Sequence, residues 1–463
     1  MKKFLFLISV CAVCLSACKQ YSNYERPDAL TKGIDSLYRD STRQYQVVKA
    51  DTTNFGNTPW KKVFTDAKLQ TLIQKALDNN LDLQSAELTV QQSQAALKVA
   101  RLAYYPTLSF NPQGTVSSWD FGKATKTYSF PINASWQIAS FGKIRNTKKQ
   151  AEANLELSKA YKQAARTSII AGVANMYYTL QMLDEQLRTT KETVEIWKES
   201  VRTMELMKQA GMTNEAAIGQ ARANLIQLEA SVPTLEQNIR EVENALCLIL
   251  NIPAEPIARN AFNADNFPAS FSTGVPLQLL ANRPDVHAAE MQVVSAFYNV
   301  NIARSSFYPS LTISGQAAWT NSAGNIVNPG KILATALASL TQPLFAQGQL
   351  KAQLKISKLQ YENSLLQFRN TILSAGNEVS NALTAYQTAI LRQEATQKQV
   401  DELKKTLENT QMLFKHTNST SYLETLTAQQ SLIQAQLSLI SDKFDKVQAV
   451  INLYQALGGG RES

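Results

Sequence analysis

The sequence predicts an α+β membrane protein, made of very long helices and of a few short strands that one chain cannot close into a wall. Three observations predict it. Long stretches repeat apolar residues every 3.5 positions, which is the seam of a left-handed coiled coil. Short stretches alternate apolar and polar residues, which is the period of a two-faced strand. The whole plan then occurs twice within 463 residues. The expected assembly takes four strands from each of three chains. Twelve strands close a transmembrane β-barrel.

The first element is an export signal over 1–17. MKK is a basic start, FLFLISVCAVCL a short apolar core, and LSAC at Leu15–Cys18 a lipobox. Cys18 is the expected lipidation site. Lys19 follows it, with no Asp to retain the protein at the inner membrane, so the outer membrane is expected. Cleavage removes Lys2 and Lys3 and takes the net charge from +9 to +7. It leaves Cys18 and Cys247, too few for a disulfide framework. Residues 18–62 then read as a lipid-anchored tether. No later run approaches the ~18 apolar residues of a spanning helix, so any membrane crossing must use strands.

Duplication sets the remaining boundaries. RLAYYPTLS at 101–109 returns as RSSFYPSLT at 304–312, and LIQ at 225–227 returns at 432–434. The repeats span 63–256 and 277–463, joined by a Pro- and Asn-rich linker over 257–276. Each repeat begins with a helix, at about 64–104 and 277–306. Two strands follow. In the first repeat they are 107–118 and TYSFPINASWQI at 127–138. In the second they are SLTISGQAAW at 310–319 and the less regular ILATALASLTQPLF at 332–345.

A pair of long helices ends each repeat. Ile169, Val173, Met176, Leu180, Leu183, Leu187, Thr190, Val194, Trp197, Val201 and Met204 step by four and three. Ile218 to Ile249 does the same, with Pro233 as an expected kink. A helix over 143–209 would be about 100 Å long. The pairs turn at QAGMTNEA (209–216) and KHTNSTSY (415–422). There Gly211 and Asn418 suit a left-handed residue, and Thr213 and Thr420 suit N-caps.

Strands of about 10–12 residues fit a tilted membrane crossing. An open four-stranded sheet leaves unpaired backbone in lipid and is excluded there. Twelve strands leave a lumen, with the apolar face toward lipid and the polar face toward water. Trp119, Tyr128, Trp136, Tyr308 and Trp319 are the expected aromatic girdle.

These motifs carry a resemblance. LSAC, ALDNNLDLQSAE (76–87), YYPTLSF (104–110), LLANRPDVHAAE (279–290), FYPSLTISG (307–315), LTQPLFAQGQL (340–350) and the terminal LYQALGGG are similar to the TolC family of outer-membrane efflux channels, in its lipoprotein branch. The likeness covers about 60–460. It implies a homotrimer, the exit duct of a tripartite pump, in which a long α-helical barrel of coiled-coil helix pairs continues the β-barrel through the periplasm. The implied partners are a periplasmic adaptor protein, an inner-membrane transporter of the resistance-nodulation-division type, and outer-membrane lipid. It also implies a gate at the periplasmic tip. That gate maps onto Thr213, Asn214 and Glu215 in one turn and Asn418, Ser419 and Thr420 in the other. Many members carry an Asp in the second turn; this chain has Thr420, and Glu215 is the alternative source of charge.

The resemblance leaves the cargo open: small molecules are the first reading, metal ions or secreted proteins the alternatives. An envelope-spanning coiled-coil scaffold would explain the heptads but not the alternating strands. No Lys/Arg block interleaved with aromatics suggests nucleic acid. No phosphate loop, metal spacing or nucleophile motif suggests an enzyme, a cofactor or a resident metal.

Overall fold

The computed structural model describes residues 21–27, 55–118, 120–138, 140–264, 267, 282–323, 325–416 and 422–461. The export signal, Cys18, most of the tether, Trp119, part of the linker, and Asn418, Ser419 and Thr420 lie outside the described residues. In chain order the elements are α1 (Trp60–Val63), α2 (Ala67–Asn79), α3 (Leu81–Leu102), β1 (Thr107–Phe110), β2 (Gln113–Ser117), β3 (Thr125–Gln137), α4 (Lys143–Gln209), α5 (Glu215–Ile249), α6 (Pro284–Ser305), β4 (Ser310–Ala323), β5 (Asn325–Thr341), α7 (Gln349–His416) and α8 (Tyr422–Ala456). They fall into two compact units. One takes Leu88–Ala160 and His287–Thr371 with the N-terminal stretch to Lys32. The other takes Gly33–Glu87, Tyr161–Val286 and Ile372–Ser463.

The first unit holds the sheet. Its strand order is β1-β3-β4-β5, all antiparallel, with β2 pairing β3 beyond β1. The expected strand over 107–118 is two pieces, separated by Asn111 and Pro112. Proline has no N–H to give to a ladder. Asn111 N still donates to Pro131 O at 3.4 Å, so both pieces lie along one strand position. The fourth strand starts at Asn325 and stops at Thr341, earlier at both ends than expected.

The second unit holds the helix pairs. The seam residues of α4 are buried or half-buried from Ile169 to Met204, and those of α5 likewise from Ile218 to Ile249. Ile170, Ala174 and Tyr177 are buried as well, because further elements cover a second flank of α4. Pro233 sits inside α5, where the hydroxyls of Ser231 and Thr234 donate to Leu228 O (2.6 Å) and Ala230 O (3.3 Å). The expected helix over 64–104 is broken twice. Asp66 caps α2, accepting from Lys68 N and Leu69 N. Asn80 then ends α2 with an extended backbone and starts α3, its Oδ1 accepting from Leu83 N at 3.0 Å. Its Nδ2 donates to Ile249 O at 2.9 Å, which fixes the end of α5 against the break.

Arg259 fastens the linker to this unit. Its guanidinium pairs with Asp184 of α4 at 2.5 Å and Glu243 of α5 at 2.5 Å. Tyr177 Oη donates to Asp66 Oδ2 at 2.8 Å and accepts from Asn260 N at 3.2 Å. Burial pushes the Tyr177 hydroxyl up to about 12.

Candidate functional site: the faces of the sheet and the turn of the first helix pair

Residues directly opposite across a ladder share one face of a sheet. The register therefore sorts the side chains. Phe130 lies opposite Trp319, which lies opposite Ile332. Phe110, Ile132, Ala317 and Ala334 form the next row. Leu108, Ala134, Gly315 and Ala336 follow, then Trp136, Ile313 and Ala338. Every side chain in these rows is apolar or absent. The other face carries Ser109, Asn133 and Gln316 in one row and Thr107, Ser135 and Ser314 in another. Leu333 and Leu337 also lie on that face, opposite Ala318 and Ser314. These two leucines are what blurs the alternation of the fourth strand.

The aromatic residues divide. Trp136 (41% exposed) and Trp319 (46% exposed) share the apolar face. Trp319 is level with Phe130, so the two indoles stand six residues apart along β3, about 20 Å. The Trp136 indole N–H donates to Tyr104 O at 2.9 Å, a polar partner at one strand end. Tyr128 is tied to the backbone: its Oη accepts from Gly330 N at 3.0 Å. Its own N–H donates to Asn321 Oδ1 at 2.6 Å. Tyr308 stacks on Phe141 at 5.3 Å and 6°, where strand gives way to helix. Leu344 and Phe345, expected within the fourth strand, lie exposed beyond the end of β5. Pro343, which has no N–H for a ladder, is the signal that separates this pair from the strand.

The turn after α4 is built from the backbone upward. Gly211 has φ +77°, a left-handed conformation open to a residue without Cβ. Met212 N donates to Met207 O at 2.8 Å and Gly211 N to Lys208 O at 2.9 Å, so a Schellman motif ends α4. The N-cap of α5 is Asn214, not Thr213: Asn214 Oδ1 accepts from Ala217 N at 3.0 Å. Asparagine ranks above threonine as an N-cap, and here its amide oxygen takes the N–H three residues on. Glu215 is then the first helical residue, where the helix dipole favours a carboxylate.

Glu215 is 62% exposed and pairs with Lys208 and, at 3.7 Å, with Arg222. Arg222 also meets Glu205 at 2.5 Å. The hydrogen bond and charge of Lys208 hold the Glu215 carboxyl below its ordinary value. Two acids and two cations thus alternate across the turn, and their charges cancel locally. Beneath them lies a core of Trp197, Val201 and Met204 from α4, Ile218 and Ala221 from α5, and Leu426 from α8, with Tyr422 against it. Tyr422 Oη donates to Ser200 O at 3.4 Å. Desolvation raises the Tyr422 hydroxyl above its ordinary value. The first turn and the start of α8 are therefore one packed body.

No helix among the described residues is long and apolar enough to cross a membrane. A family profile described as "Outer membrane efflux protein" matches residues 72–251 and 275–459. The chain is 28% identical over 457 residues to the probable outer membrane lipoprotein SilC of Salmonella typhimurium, covering 98% of this chain and 97% of that one. It is 28% identical over 453 residues to the cation efflux system protein CusC of Escherichia coli, covering 97% of each. A crystal structure of CusC superposes with a TM-score of 0.81 at 26% identity, over 91% of this chain and 99% of that one. The toluene efflux pump outer membrane protein TtgC of Pseudomonas putida is 27% identical over 471 residues, covering 99% of this chain and 96% of that one.

Proposed function

The chain belongs to the outer membrane efflux protein family, and on that premise we propose that three copies form a passive exit duct through the outer membrane. The observation that carries this is the sheet. One face is apolar in the four rows from Phe130 to Trp136, the other largely polar, and β5 and β1–β2 stand at its two edges. Lipid-exposed backbone needs every strand paired, so such edges call for further copies. Four strand positions per chain give twelve in a trimer, enough for a lumen.

In this reading the repeats 63–256 and 277–463 each give two strand positions and one helix pair. Cys18 carries the lipid, and Trp136 and Trp319 stand at the membrane boundaries. A periplasmic adaptor meets the helical end, and an inner-membrane transporter, of the resistance-nodulation-division type, supplies the energy. The tip of the duct is formed by Thr213, Asn214 and Glu215 with Asn418, Ser419 and Thr420. Because Lys208 and Arg222 offset Glu215, closure there rests on packing and polar contacts more than on an acidic ring. One relative's name states cation efflux and another's toluene efflux. A lining of Ser, Thr, Asn and Gln suits either cargo, with small organic molecules the first reading and metal ions the second.

The test is planar-bilayer conductance of the purified mature protein, with its mass by native mass spectrometry. A trimer that opens discrete channels supports the duct. A monomer without conductance overturns it.

A further inference from the structure

The N-terminal stretch 21–27 lies in the unit that holds the sheet and has a direction there. Arg26 pairs with Glu290 at 2.6 Å, and the Tyr24 ring meets Phe297 at 5.8 Å. Asn23 Oδ1 accepts from Arg145 Nη2 at 3.5 Å. Tyr21 reaches Gly142, where a Cβ would lie 3.0 Å from its ring. Burial raises the Tyr21 hydroxyl above its ordinary value, as does Tyr308, and the charge of Arg304 partly offsets them. The stretch thus climbs α6 from Glu290 toward Arg304, the end that leads into β4. Gly142 lies between β3 and α4. Cys18 is three residues before Tyr21, at most about 10 Å of chain. A lipid on Cys18 therefore enters the membrane beside the junction of strand and helix.

The charge at that junction has one sign. The helix ends that flank the sheet lie in segments 88–106, 138–151, 291–309 and 342–361. Together these carry ten Lys and Arg and no Asp or Glu, which exceeds the chain's whole net charge of +9. Lys19, beside Cys18, adds another cation. Lys148 and Lys149 meet Glu152, at 3.7 and 3.4 Å. Nearer the sheet such partners end. Among the described residues neither Lys143 nor Arg304 meets a carboxylate, and the partner of Arg145 is the neutral Asn23. All three cations are exposed.

A cavity of about 260 Å³ opens at the same place, its lining including Phe141, Lys143, Ser305, Ser306 and Tyr308. It is smaller than the sites of about 300–1,000 Å³ that enclose drug-sized ligands, and suits a single headgroup.

The geometry points to a lipid site: Lys143, Arg145 and Arg304 take the phosphodiester of an anionic phospholipid in the periplasmic leaflet. This rests on the duct reading and on the lipid at Cys18. The tether brings acyl chains to the junction, and the cations supply the charge that a phosphodiester lacks.

The test is native mass spectrometry of the purified full chain, incubated with phosphatidylglycerol or phosphatidylethanolamine, with adducts counted per chain. About one phosphatidylglycerol per chain is expected. Each basic residue near an anionic lipid surface contributes about fivefold, so the preference over phosphatidylethanolamine is about a hundredfold. Lys143→Gln, Arg145→Gln and Arg304→Gln together should abolish that preference and keep the bilayer conductance. Lys123→Gln, Lys126→Gln and Lys331→Gln together remove the same charge at the other end of the strands and should keep the preference. Three results overturn the proposal. One is no preference between the lipids, which would leave these cations to an acidic protein partner. Another is equal loss in the two triple variants, which would mean attraction by net charge alone. The third is competition by glycerol phosphate as strong as by the lipid, which would mean a soluble phosphate site. Conductance and trimer mass judge the duct separately, since the adducts are read per chain.

Discussion

Arginine at position 132 tests the wall most directly. Ile132 stands at the middle of the 13-residue β3, 57% exposed, between Phe110 and Ala317 on the neighbouring strands. In the proposed barrel it meets hydrocarbon near the midplane. Arginine on that face costs about 2–4 kcal/mol per site. A threefold assembly repeats the change, so the trimer loses about 6–12 kcal/mol, comparable with the whole stability of a domain. Asn133 is the next residue and faces the other way, in the row of Ser109 and Gln316. Arginine there stays in water, costs within about 0.5 kcal/mol, and adds three positive charges to the lumen. The assay is urea titration of the folded trimer in liposomes, followed by conductance and ion selectivity. Ile132→Arg should lose the trimer at much lower urea. Asn133→Arg should keep it and shift selectivity toward anions. Equal losses, or a loss confined to Asn133→Arg, would mean that the apolar face does not meet lipid.

Four further outcomes are expected. Arg259→Met leaves Glu243, 12% exposed at its side chain, without its cation and costs about 3–5 kcal/mol, seen as a lower circular-dichroism melting temperature; adding Glu243→Gln recovers part of it. Asn214→Ala costs about 1 kcal/mol as a lost N-cap, whereas Thr213→Ala stays within about 0.5 kcal/mol; melting of the two variants separates them. Burial raises the Asp285 carboxyl, but the hydrogen bonds and charge of Arg283 outweigh it, so the folded value is lowered from 3.8. The stability from this pair is complete above the unfolded value and is lost as pH falls from about 3.8 through the folded value; melting across that window should fall less for Asp285→Asn than for the parent chain. Glu215→Gln should leave the response of the channel to divalent cations unchanged in planar bilayers, since Lys208 and Arg222 already offset that charge; a lost response would put Glu215 in the gate.

What was legible follows from how each feature is specified. The seam of α4 could be read because a side chain every 3.5 residues must be covered whatever its partner is, and α4 runs from Lys143 to Gln209 as expected. The breaks at Asp66 and Asn80 could not, because each depends on one side chain turning back to a backbone N–H. An Asp or Asn in an apolar-periodic stretch is equally compatible with an exposed helical position. The register of the sheet is also a pairwise property. Only when Trp319 is placed opposite Phe130 and Ile332 do β1, β3, β4 and β5 share one apolar face.

The fourth strand shows why periodicity alone understates such a wall. Ile332, Ala334, Ala336, Ala338 and Leu340 give β5 one unbroken apolar face. Leu333 and Leu337 interrupt only the opposite face, where the partners are Ala318 and Ser314. A face against lipid excludes every polar group, since each buried one costs free energy without a partner. A face against water excludes nothing, because an isolated exposed leucine is tolerated. The constraint is therefore one-sided. In a chain that lines a duct, the strict face of each strand marks the lipid, and the irregular face marks the lumen. By that criterion the strict faces of β4, of β5 and of β3 from Phe130 to Trp136 coincide, as a single membrane-facing surface requires.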